Sequence, residues 1–123
     1  MPTIEHFEVP AEDMERAKKF YEELFDWKIS KTPGVEDYLS IATADQSGSK
    51  GLDGGIMRKK VPEHTTMNYI GVSSVDEYAQ KVKKLGGKVV MDKTAVPGMG
   101  YFIVCLDTER NAFGIWETNS QAK

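Results

Sequence analysis

The sequence predicts an α+β fold built twice, as two tandem βαβββ modules at residues 1–58 and 67–118, joined by a linker at 59–66. Three observations predict it. A strand-helix-strand pattern over residues 3–29 returns in shorter form over residues 67–91. Apolar positions in both helices follow helical spacing: Met14, Ala17, Phe20, Tyr21, Leu24 and Phe25, then Val75, Tyr78, Ala79, Val82 and Leu85. The two halves also close alike, on Gly55-Ile56-Met57 and on Gly114-Ile115-Trp116. Such self-similarity is the mark of an internal duplication.

Taken in order, Ile4, His6 and Glu8 alternate with Glu5, Phe7 and Val9, the period of a strand with two distinct faces. Pro10 is expected to end it. Glu12 and Asp13 place acid at the start of the first helix, where the helix dipole favours it, and the helix runs to about Phe25. Strands follow at 27–30, 38–43 and 54–58, separated by the turn Pro33-Gly34 and the polar loop 44–51. The linker KKVPEHTT carries charge and a proline without periodicity, and its His64 reads as a solvated loop residue. In the second half a strand at 67–72 precedes Ser74-x-x-Glu77, a capping-box signature for the next helix. Gly86-Gly87 supplies its stop. Strands are then expected at 88–91, 101–106 and 112–118, with Pro97-Gly98-Met99-Gly100 as a hairpin turn and a frayed tail at 119–123.

At 123 residues, 40% hydrophobic and 28% charged, the chain has the length and composition of a soluble globular domain. A formal charge of −3 argues against nucleic acid, which needs a basic face. No apolar run is long enough for a membrane span, and no signal peptide is evident, so no membrane partner is expected. The single cysteine, Cys105, reads as a buried thiol in an apolar strand, which suits a reducing, cytoplasmic setting.

With a helix covering one face of each sheet, the residues beneath it should be plain hydrophobes: Phe7, Val9, Ile56, Ile70, Val72, Phe113 and Ile115. The opposite face then receives His6, Glu8, Gly55, Met57, Tyr69, Gly71, Gly114 and Trp116. Small residues beside large aromatics and a few polar groups describe a lined cavity, and glycine within a strand marks close approach by something else. The alternative is a dimer interface or an irregular core in which the glycines serve bulges.

These stretches, HFEVPAEDMERAKKFYEELFDW, GGIM, YIGVSSVDE, VPGMGYF and DTERNAFGIWE, resemble the glyoxalase, bleomycin-resistance and extradiol-dioxygenase superfamily, also called vicinal oxygen chelate. The chain is similar to its glyoxalase-related branch over nearly its whole length. The resemblance implies paired βαβββ modules whose mixed sheet curls into a U around a cleft, and frequent homodimers. In metal-dependent members four side chains from the first and last strands of both modules hold a divalent cation. Those places look like His6, Gly55, Tyr69 and Gly114 in this chain. Glycine has no side-chain donor and neutral tyrosine is a poor ligand, whereas catalytic divalent sites hold about three protein ligands. No metal or other cofactor is therefore expected, and Glu117, with the parity of Ile115, should point elsewhere.

Three functions remain open. One is a small-molecule-binding protein, sequestering or sensing an aromatic or apolar metabolite, with Met57, Tyr69, Trp116, Trp27, Gly55 and Gly114 as the cleft and His6 and Glu8 as polar fixtures. Another is a lyase, isomerase or dioxygenase, metal-dependent or using His6 as general base with Glu8 orienting it. The third is a non-catalytic dimerisation module. Lactoylglutathione lyase activity is not expected, because in the superfamily that chemistry rests on the metal.

Overall fold

The computed structural model describes residues 2–123 and is built of two compact units. One is His6–Thr66; the other is Met67–Lys123 together with the N-terminal residues through Glu5. Each repeats the order strand, helix, three strands.

In the first module, β1 (Ile4–Ala11) leads to α1 (Met14–Phe25), β2 (Lys28–Lys31), β3 (Tyr38–Ala42) and β4 (Gly54–Arg58). The sheet order is β2-β3-β4-β1, with β1 parallel to β4 and the other pairs antiparallel. Asp13 is the N-cap of α1, its side chain accepting from the Arg16 amide at 3.0 Å. Asp26 ends the helix in the left-handed conformation at φ 58°. Met14 packs with Ile29, Leu39, Ile41 and Ile56, while Phe7, Ala17, Tyr21 and Trp27 close around them.

In the second module, β5 (Met67–Gly71) leads to α2 (Val75–Lys84), β6 (Lys88–Val96), β7 (Gly100–Leu106) and β8 (Ala112–Thr118). The order β5-β8-β7-β6 repeats the first sheet, with β5 parallel to β8. Ser74 Oγ accepts from the Glu77 amide at 3.1 Å, and Glu117 Oε1 accepts from the Val75 amide at 3.0 Å. Glu117 thus serves the start of α2, on the helix side as its parity requires. Past the helix, Gly86 at φ +95° and Gly87 return their amides to Lys83 and Val82, a Schellman stop. Val75, Ile103, Cys105 and Ile115 form the core here, with Val72, Tyr78, Ala79, Val82 and Phe113 around it.

Four local expectations are corrected. Pro10 does not end β1, which runs on to Ala11. The bonds to β4 fall on odd positions, from the Phe7 amide to Asp53 and from the Lys59 amide to Ala11, so the missing N–H of Pro10 is not called on. Strand β6 extends to Val96 instead of stopping at Met91, with irregular register between Val89 and Met91 and again between Met91 and Thr94. The tail is not frayed: Gly98 donates to the Ala122 carbonyl, Asn119 donates to Met99, and Ala122 is buried. Finally, Phe20, Leu24 and Phe25 lie more than half exposed, because Met14, Ala17 and Tyr21 already fill the seam over the sheet.

Candidate functional site

In the first module, parity along β1 sends Phe7 beneath α1 and leaves His6 and Glu8 on the other face. Register supplies a third residue. Tyr38 opens β3 opposite Met57, while its neighbour Leu39 lies opposite Ile56 in the core. Tyr38 therefore shares the face of Gly55 and Met57, and its ring occupies the space a side chain at Gly55 would need: an added Cβ there would overlap the phenol.

The Tyr38 hydroxyl binds both polar residues of β1. It donates to Glu8 Oε2 at 3.0 Å and lies 2.6 Å from His6 Nε2. The His6 and Tyr38 rings are nearly parallel, 13° apart, and His6 Nε2 is 3.7 Å from Glu8 Oε2. With its own proton given to Glu8, the Tyr38 oxygen is left to accept from His6 Nε2–H. The cluster is half-buried: the His6 side chain is 34% exposed and that of Glu8 14%. Two hydrogen bonds converging on one hydroxyl in such a setting fix the orientation of the rings.

The second module repeats the close approach. The buried Tyr69 ring lies over Gly114, its register partner on β8, where an added Cβ would overlap the ring. Phe102 meets Tyr69 edge-on, with centroids 6.2 Å apart. Trp116, two residues on from Gly114, anchors its indole N–H on Thr118 Oγ1 at 2.9 Å and borders an open groove with Glu5, Gly71 and Tyr78.

Trp27 does not join His6 and Met57. It has the parity of Ile29 and stacks on Tyr21 at 5.2 Å, with Phe25 at 5.2 Å and Phe7 at 5.9 Å. Its place is the rim of the helix-side core. Tyr38 is the residue that sequence reasoning missed; its alternation with Leu39 and Ile41 was the available signal.

The positions that the family resemblance assigns to a divalent cation do not fit one. In each module the glycine standing where a carboxylate would be is covered by a tyrosine ring, and His6 is already committed to Tyr38. Among the described residues no three His, Cys, Asp or Glu side chains converge on a common point.

A sequence profile of the Glyoxalase/Bleomycin resistance protein/Dioxygenase superfamily matches residues 3–115. A glyoxylase-like domain-containing protein of Didymella fabae is 32% identical over 116 residues, 91% of each chain. The putative glyoxylase CFP32 of Mycobacterium tuberculosis is 30% identical over 112 residues; the alignment covers 87% of this chain but only 42% of that protein. Among solved structures, a methylmalonyl-CoA epimerase in complex with methylmalonyl-CoA superposes with a TM-score of 0.70 at 12% identity, covering 100% of this chain and 99% of that one. At that identity the likeness is one of fold.

Proposed function

We propose, from the premise that this chain belongs to the Glyoxalase/Bleomycin resistance protein/Dioxygenase superfamily, that it is a small-molecule-binding member working without the family's metal. The observation that carries this reading is Tyr38, standing over Gly55 and tied to both His6 and Glu8. An oriented imidazole, a phenol and a carboxylate, with Met57 beside them, make a fixed polar end for a compact ligand with an apolar body. Sequestration or sensing uses such a fixed end directly; no bond need be made or broken.

A thermal-shift screen of a metabolite library, followed by calorimetry on the hits, tests it. Ligands of the wild type should bind His6→Ala and Tyr38→Phe about tenfold or more weakly, the loss expected when a charge-assisted hydrogen bond is removed. Protein purified without chelator that carries a stoichiometric divalent metal, lost in His6→Ala, overturns the metal-free reading.

A second reading is favoured by the same cluster: acid–base catalysis by the His6 imidazole, held in place by Tyr38 and, through it, Glu8. Solvent deuterium entering a bound ligand with wild type but not with His6→Ala would establish it. A cytoplasmic setting and a homodimer belong to the proposal as well. No helix among the described residues is long and apolar enough to cross a membrane. Sedimentation velocity checks the dimer, and a monomer at every concentration removes it.

A further inference from the structure

We propose that the second module carries a separate site for a small primary ammonium compound, in the groove of about 420 Å³ bordered by Glu5, Gly71, Ser73, Tyr78, Trp116 and Thr118. Gly71 places the anion. Its missing side chain lets the Glu5 carboxylate lie directly over the strand, where an added Cβ would overlap the carboxyl group. The Gly71 amide donates to the Thr3 carbonyl, so it does not neutralise that carboxylate. Among the described residues no lysine, arginine or histidine pairs with Glu5.

Trp116 places the apolar wall. It is the register partner of Gly71 on the neighbouring strand, so its side chain leaves the same face of the sheet one strand spacing away. Its indole N–H is spent on Thr118, so the ring is what it offers to the groove. Tyr78 closes the helix side of the groove, with one face of its ring already taken by Lys81 Nζ 4.6 Å from its centroid. An indole ring beside a carboxylate with no basic partner recognises an organic cation by cation–π attraction and charge pairing. The Ser73 and Thr118 hydroxyl oxygens can accept the remaining ammonium protons, which selects a primary amine over a quaternary one. This site shares no residue with the His6 cluster.

Titration with butylammonium chloride, followed through the indole N–H resonances, tests the proposal. The two signals are assigned by Trp116→Phe and Trp27→Phe. Butylammonium should shift the Trp116 signal and leave that of Trp27 in place. Glu5→Gln should weaken binding about tenfold or more, and 1-pentanol and valerate should give no shift. Equal response to 1-pentanol, or an unchanged affinity in folded Glu5→Gln, overturns the site. Ser73→Lys, which installs a competing cation in the groove, is the second variant and should abolish the response. His6→Ala should leave the titration intact, so failure here is separable from failure of the metal-free binding reading.

Discussion

At Gly55 the cost of a single methyl group can be foreseen, because the Tyr38 ring occupies its place. Gly55→Ala should destabilise the protein by about 1–3 kcal/mol in chemical denaturation, the usual penalty of overpacking. Adding Tyr38→Ala should recover part of that loss, giving a coupling energy of about 0.5 kcal/mol or more. If the two costs simply add, the ring is not what the glycine accommodates. His6 and Glu8 were legible in the sequence because alternation along one strand reveals a face. Tyr38 lies 32 positions from His6, and its part emerges only once the pairing of β3 with β4 is known. Trp27 read equally well from sequence as a cleft wall or as a strand-edge core residue, and its stacking on Tyr21 decides for the core. Cys105 was read correctly as a core thiol, and burial pushes its pKa from 9.0 up to about 11. The unfolded chain therefore loses that proton first, and stability falls as pH rises from about 9 toward 11. Cys105→Ala should remove this one-proton slope from the pH dependence of unfolding, and the native thiol should resist alkylation at pH 8 until the protein is unfolded.

The helices announced themselves because cap and stop signals are local: α1 ends at Phe25 as its spacing expects, and Ser74 caps α2 as its motif requires. What exceeded local signals was set by pairing, as in the extension of β6 along β7. Gly86 adopts φ +95°, so Gly86→Ala should cost about 1 kcal/mol through backbone strain alone. The β7–β8 turn offers a test by pH. Asp107 accepts from the Asn111 amide at 2.9 Å and the Glu109 amide at 2.8 Å, and these bonds hold its pKa below the ordinary carboxylate value. Its contribution is present above the unfolded carboxylate pKa and is lost as pH falls through the lower folded value. Asp107→Asn should accordingly flatten the acid limb of the stability profile, as read by urea denaturation at a series of pH values.

Each module has its own core, and the two clusters share no member. Ile56→Ala and Ile103→Ala should each cost about 2–5 kcal/mol, with the double variant additive to within about 0.5 kcal/mol in denaturant midpoints. A marked departure would mean that the cores are energetically linked. One feature of the second module bears on how the protein behaves when concentrated. Strand β6 forms an edge of its sheet and carries the exposed side chains of Val90 and Met91, the combination that invites fibre growth by strand stacking. Its two breaks in register interrupt the even ladder that such stacking demands. The irregularity is thus a safeguard of solubility, and a shortened β6 that restored an even ladder should bind thioflavin T where the natural strand does not.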